Sequence, residues 1–478
     1  MKYLTIPETR IKIEEPAYDF LDHIEANDRI LFSGAFGIGK TFFLRKFFET
    51  TEMKEKYNVF HLFPVNYQIA TNEDIFELIK YDILYHIFGF DWAKVDDKKF
   101  SESLLIQYYF MNNSVNIISK IFQCVPVLEI AGKAIETLSN IHKNFLKYKD
   151  EINKNEVELL ETFRKRLEQK QGSLYEFDAI SDFICDNLAN CNDGITDKEK
   201  YKKNVLIIDD LDRIDPEHIF RLLNVFSAHM DRMYDETNNK FGFDKIIFVC
   251  DVENIRNIFA AKYGQSADFS GYIDKFYSSE VFHFNNETAI LEFVRKRIYD
   301  ISNDKQNGFY WGEILCIRDI LYLLVSGKSI NLRQIFSNVE SLKNTKIHTL
   351  SRYTYCSGYT IILTCLKILG GQKNTLLEAF KKVKLPLDNN IYGIEYESIL
   401  SYLLPLLRDG TYNDTIEDGT VLQSGFSFKL KKENLIHSLR LNTIYAEIDT
   451  STTVINYEKL QNLFIEVVNI LDKKGLLK

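Results

Sequence analysis

The sequence predicts an α/β fold: a parallel sheet flanked by helices, with a large helical insertion and a mostly helical C-terminal domain. Three observations predict it. Strand and helix patterns alternate over residues 1–90, and the same alternation returns over 204–285. Short apolar runs at 29–33, 204–208 and 244–250 break off abruptly into Gly or Asp. The stretches between and after these two blocks carry helical patterns. Alternation of this kind favours parallel strands covered by helices on both faces.

The elements follow in order. Arg29–Ser33 (RILFS) is a β-branched, apolar run that stops at Gly34. Lys40–Glu49 (KTFFLRKFFE) sets Phe43/Phe47 and Leu44/Phe48 at i,i+4 spacing, so it reads as a helix with one apolar face. Tyr57–Val65 reads as a strand, and the amphipathic run from Asp74 to Gly89 as a helix with Asn72 as its N-cap candidate.

Residues 91–203 hold no convincing strand. Within them Lys149–Gly172 mixes charges of both signs around Val157, Leu159, Leu160, Phe163 and Leu167, which suits a solvated surface helix or a helical partner-binding arm. Asn204–Ile208 is again a fully apolar strand. Asp215 and Pro216 form an N-cap and first-turn proline opening a helix, and Asp244–Cys250 is another buried strand. Val281–Phe284 is the last strand of the block. Beyond Asn286 helices dominate, with strand-like pieces near Thr420–Leu430 and Thr443–Ile448.

Composition excludes several classes. The chain has 478 residues, 45% of them hydrophobic, with only 7 Pro and 21 Gly, which rules out disordered and Pro/Gly low-complexity proteins. Its 59 basic against 68 acidic residues give a net charge of −9, so it does not coat nucleic acid by charge alone. Lys381, Lys382 and Lys384, and the Lys429–Lys432 segment, are the only basic clusters that hint at a nucleic-acid partner. The 7 cysteines (124, 185, 191, 250, 316, 356 and 365) form no C-x-x-C pair, and the 9 histidines form no H-E-x-x-H, so thiols are expected reduced and His/Cys metal chemistry absent. The N-terminus lacks a signal peptide's apolar region. Val115–Gly132 is interrupted by Lys120, Gln123, Pro126 and Glu129, and Thr360–Leu369 is too short and holds Lys367, so no membrane span is expected. A soluble, cytoplasmic protein follows as the expectation.

The chemistry begins at Gly34-Ala35-Phe36-Gly37-Ile38-Gly39-Lys40-Thr41, which matches G-x-x-x-x-G-K-[ST]. Its glycines let successive backbone N–H groups turn inward onto phosphate oxygens. The helix that starts at Lys40 aims its positive dipole end at the same oxygens. Lys40 adds a full charge at the β- and γ-phosphates, and Thr41 a hydroxyl ligand for Mg²⁺. A chain this long meets the pattern by chance about once or twice in a hundred, but here a strand precedes the loop and a helix follows it.

NVLIIDDLDR supplies the second half. Asp209 and Asp210 follow four apolar residues and so emerge at the carboxyl edge of a buried strand, where ligands of open parallel sheets bind. Asp209 is placed to hold Mg²⁺, usually through water, and Asp210 to polarise the attacking water. Arg213 is either a charge-stabilising group or a salt-bridge partner of Asp212. No N-K-x-D motif follows Asn239-Lys240, so adenine is favoured over guanine.

GAFGIGKT, LIIDDLDR, FVCD (Phe248–Asp251) and YIDKFYSSEVFHF (Tyr272–Phe284) together resemble the KAP family of P-loop NTPases, within the STAND and AAA+-like ATPases. Asn331–Leu342 resembles that family's helical-lid signature. The resemblance covers about residues 15–345 and implies a P-loop core in two parts, 1–90 and 204–285, around an insertion at 91–203. A lid at 286–345 and a C-terminal domain at 346–478 follow. It further implies Asp251 as a sensor, Lys275 as a basic position of the YxxKF-like element, and Arg333 as the lid group touching the γ-phosphate. Many members carry transmembrane helices in the insertion. This chain looks like a soluble prokaryotic member, resembling components of anti-phage defence systems.

The function expected is therefore an ATP- and Mg²⁺-dependent ATPase that acts as a switch for self-assembly, as a homo-oligomer, or for an effector protein. A DNA-stimulated translocating or loading ATPase and a non-hydrolysing ATP-bound scaffold are the alternatives. The intact Asp pair argues against the scaffold.

Overall fold

A computed structural model describes residues 4, 11–67, 75–93, 140–141, 143–144, 179–227, 239, 241–302, 311–330, 332, 334–335, 357–383, 394–407, 420–423, 426–433, 443–448 and 457–477. The chain divides into two units. The first comprises Met1–Pro7, Glu14–Gly34 and Lys40–Phe284, and the second Glu8–Ile13, Ala35–Gly39 and Asn285–Lys478.

Among the described residues, the first unit holds five strands: β1 (Arg29–Ser33), β2 (Tyr57–Leu62), β3 (Lys203–Ile208), β4 (Lys245–Cys250) and β5 (Phe282–His283). They pair in the order β2-β3-β4-β1-β5, and every pair is parallel. The three central strands are apolar along nearly their whole length because helices cover both faces. Register fixes the faces. Phe32 lies opposite Val249, while Ile247 and His61 both lie opposite Ile207. This face packs the helices Glu14–Ala26 and Lys40–Phe48, with the Phe20 and Phe43 rings 5.1 and 5.7 Å from Phe32. The other face, carrying Leu31, Phe60, Leu206 and Phe248, packs against the helices Ile75–Gly89, Ala179–Ala189 and Pro216–Ser227.

β2 is shorter than its apolar pattern suggests. It ends at Leu62, and Pro64–Asn66 forms a 3₁₀ turn, because Pro64 lacks the N–H that a continuing ladder needs. Asp215 and Pro216 open their helix as expected, with Glu217 N–H donating to Asp215 Oδ1 at 2.8 Å. The Val115–Gly132 and Lys149–Gly172 stretches lie outside the described residues.

The second unit is mostly helical. The Ser357–Ile368 helix buries every side chain except that of Lys367, so its apolar run is core. The Lys373–Lys381 and Tyr457–Lys473 helices meet through Phe380 and Phe464, stacked at 4.4 Å. Strands β6 (Thr420–Gln423), β7 (Phe426–Glu433) and β8 (Thr443–Ile448) form an antiparallel sheet in that order. Among the described residues, no helix is long and apolar enough to cross a membrane.

Candidate functional site

Backbone hydrogen bonds tie the carboxyl end of β1 to that of β4, and the carboxyl end of β3 to that of β2. Gly34 N–H donates to the Cys250 carbonyl at 3.1 Å, and Asp209 N–H to the Leu62 carbonyl at 2.9 Å. Ser33 Oγ accepts from Val252 N–H at 3.0 Å. These bonds extend the sheet by one residue past its strands and hold the turns that leave it.

Gly34 opens the phosphate-type loop at the end of β1. Gly37 and Gly39 take φ of +78° and +100°, a region that side-chain-bearing residues rarely enter. Lys40, only 7% exposed, begins the following helix and donates from Nζ to the Gly34 carbonyl at 2.7 Å. The ammonium is thus folded back over the start of its own loop. Thr41, next in the helix, is half-buried. Within the second unit, the Gly37 carbonyl accepts the Leu332 N–H at 3.0 Å, and Ile38 packs against that unit's core.

Asp209 is fully buried just past β3. Its Oδ1 accepts the Asp210 N–H at 2.7 Å, and its Oδ2 lies 2.8 Å from His61 Nε2. With the carboxylate oxygen as acceptor, His61 Nε2 is the donor of this bond. Asp210 takes a left-handed conformation, φ 52° and ψ 35°, which Asp tolerates better than most residues. Its Oδ2 accepts from Arg213 at 2.6 Å. Arg213 therefore pairs with Asp210, while the Asp212 carboxylate accepts from Asn254 at 3.1 Å.

Asp251 caps the helix Val252–Tyr263, accepting the Glu253 N–H at 3.1 Å. Burial raises the Cys250 thiol pKa, with Asp212, Asp251 and Asp209 pushing the same way and Lys40 opposing. The loop lysine and these three carboxylates thus all lie within electrostatic range of the end of β4. Lys275 is exposed, and its carbonyl accepts from Arg29 at 2.8 Å. Arg333 lies outside the described residues.

The sheet edge thereby brings together Gly34, Lys40, Asp209 and Asp251, with Asp210 and Arg213 in the turn after β3. Sequence reasoning missed His61. A lone histidine inside a strand carries no motif, and only the β2–β3 register shows that it shares a face with Asp209, two residues beyond Ile207. A cavity of about 910 Å³ lies alongside, lined by Pro64, Tyr67, Arg213, Ile214, Glu217 and Lys262 among others. Arg213 is the lining residue that it shares with the candidate site.

The donor set fits a polyphosphate with a hard cation. A tight loop with two left-handed glycines, a buried ammonium and a helix start present positive charge to an anion. The Thr41 hydroxyl and the Asp209 carboxylate are oxygen donors of the kind Mg²⁺ takes while keeping several waters. Among the described residues, no group of three or more His, Cys, Asp or Glu that could hold a metal ion is found.

A family model described as the KAP family P-loop domain matches residues 10–285. No curated protein and no solved structure matches the chain.

Proposed function

Because the chain belongs to the KAP family of P-loop NTPases, we propose that it binds ATP with Mg²⁺ and hydrolyses it, using the turnover as a conformational switch. The observation that carries this reading is the loop at the end of β1, with Gly37 and Gly39 at positive φ and Lys40 buried at the head of its helix. Asp209 is buried two strands away on the same sheet.

In this reading the loop N–H groups and Lys40 Nζ bind the β- and γ-phosphates. Lys40 exchanges the Gly34 carbonyl for phosphate oxygens. Thr41 Oγ1 and Asp209 hold the Mg²⁺ side, directly and through water. Bound Mg²⁺ supplies neutralisation of charge on the phosphate oxygens. Asp210 orients the attacking water and accepts its proton, and Arg213 keeps that carboxylate in place.

A ligand shifts a conformational equilibrium only by its differential affinity for the two states. The Leu332–Gly37 hydrogen bond supports a route for that difference, since it ties the loop backbone to the residue before Arg333. The output in this reading is self-assembly or engagement of an effector protein.

Lys40→Ala tests the site. Loss of a charged donor costs about 1.5–3 kcal/mol, so ATP affinity measured by calorimetry should fall at least about tenfold. Unchanged affinity would overturn the assignment. Mass photometry of the wild-type chain with ADP and with a non-hydrolysable ATP analogue tests the switch; identical distributions count against assembly as its output.

A further inference from the structure

His61 is a residue no motif points to, yet it holds one of the two oxygens of Asp209. The sheet explains why. His61 lies opposite Ile207 across β2 and β3, side chains two residues apart share a face, and Asp209 follows Ile207 by two. The imidazole and the carboxylate therefore emerge side by side at the sheet's carboxyl edge. His61 is itself held: its ring stacks on Phe63 at 4.4 Å, and its side chain is only 15% exposed.

We propose that His61 is a positioning residue, donating from Nε2 to Asp209 Oδ2 so that the carboxylate presents its remaining lone pairs to the Mg²⁺ water shell. It deepens the reading of Asp209 as the Mg²⁺-side carboxylate and rests on it. With Oδ1 fixed by the Asp210 N–H at 2.7 Å and Oδ2 by His61 at 2.8 Å, neither oxygen turns freely. Each oxygen has two acceptor sites and spends one inside the protein, leaving one for water. A buried carboxylate that lost the imidazole would reorient towards other donors, and its hold on the cation's waters weakens. Groups that orient a metal-side carboxylate typically contribute about 10–100-fold to metal affinity.

The structural alternative is that His61 merely satisfies a buried acid, and any effect is then on stability alone. Calorimetry of ADP binding to the full chain, with EDTA and with Mg²⁺, separates the two. Wild type should bind in EDTA and gain affinity with Mg²⁺. His61→Phe keeps the ring on Phe63 but loses the donor; it should bind in EDTA as wild type does, with the Mg²⁺ gain reduced about 10–100-fold. His61→Gln places an N–H at comparable reach and should retain most of the gain. His61→Asn falls one methylene short and should lose it.

If His61→Phe fails to fold, the Gln and Asn variants decide the matter, and equal Mg²⁺ gains in those two overturn the inference. A wild-type gain that the Phe and Asn variants keep also overturns it. A wild-type chain that shows no Mg²⁺ gain overturns the reading of Asp209 together with this inference, a distinguishable result.

Discussion

Leu332 donates its backbone N–H to the Gly37 carbonyl at 3.0 Å, and its Cδ1 lies 2.9 Å from where a Cβ on Gly39 would stand. The middle of the loop is therefore hydrogen-bonded to Leu332 and its end is closely covered by it. Gly39→Ala would force a side chain into a φ of +100° and against Leu332, with backbone strain of about 1–2 kcal/mol. The expected outcome is a loss of ATP affinity of about tenfold or more, because the loop relieves the strain by turning its N–H groups. The melting temperature should change by only a few degrees, the usual scale for about 1 kcal/mol in a chain of this kind. Calorimetry and thermal melts check both, and wild-type affinity would show that the loop geometry is not what binds.

Asp210→Asn separates binding from chemistry. Asn tolerates the left-handed backbone at φ 52° as well as Asp does, and its oxygen still accepts from Arg213, so the turn should persist. The variant lacks a carboxylate to take the proton, and general-base loss typically costs about 10²–10⁴-fold in rate. ATP affinity should stay within about twofold of wild type while phosphate release falls by at least about a hundredfold. Full turnover by this variant would remove Asp210 from the chemistry.

Much of the core was legible because parallel strands buried on both faces announce themselves. β1 occupies the run expected of it, and β3 and β4 differ from theirs by one residue. β2 was overrun by three residues, since Phe63 and Val65 extend the apolar run and only the missing N–H of Pro64 ends it. The loop glycines were legible from spacing. The partner of Arg213 was not: the sequence offered Asp212, whereas the turn that begins with the left-handed Asp210 sets Arg213 against Asp210 instead. His61 was hidden for a related reason: its meaning lies in the register of two strands separated by the 140 residues 63–202.

A buried acid predicts a pH effect on stability. Asp82 lies on the Ile75–Gly89 helix, 3% exposed, where burial pushes its carboxyl up from 3.8 to about 7, partly opposed by the hydrogen bond from Tyr67. The folded state thus keeps a proton that the unfolded chain releases near 4, so this group withdraws stability as pH rises through 7. His86, 3.8 Å away, works oppositely: burial lowers its pKa from 6.5 to about 4, so stability is lost as pH falls through that window. The two oppose each other between pH 4 and 6.5, and Asp82 acts alone above it. Asp82→Asn should therefore raise the melting temperature relative to wild type at pH 8, and by less at pH 5, where only part of the span from 3.8 to about 7 has been crossed. A difference that does not vary with pH would contradict this.

Asp251 holds two candidate roles, and two substitutions divide them. Its carboxylate accepts the Glu253 N–H at 3.1 Å at the head of the Val252–Tyr263 helix, a capping bond whose loss to Ala typically costs about 1 kcal/mol. Asn caps about as well as Asp but carries no charge. If capping is the whole role, Asp251→Asn should match wild type in both stability and hydrolysis, while Asp251→Ala should lose about 1 kcal/mol in denaturant unfolding with kcat unchanged. A sensor of the γ-phosphate needs the charge or its exact acceptor pair, and would instead show reduced kcat in both variants with stability lost only in Ala. The observed bond supports the cap, so the expected result is a wild-type rate for Asp251→Asn. A fall of about tenfold or more, equivalent to about 1.4 kcal/mol of barrier, would assign the carboxylate to the reaction.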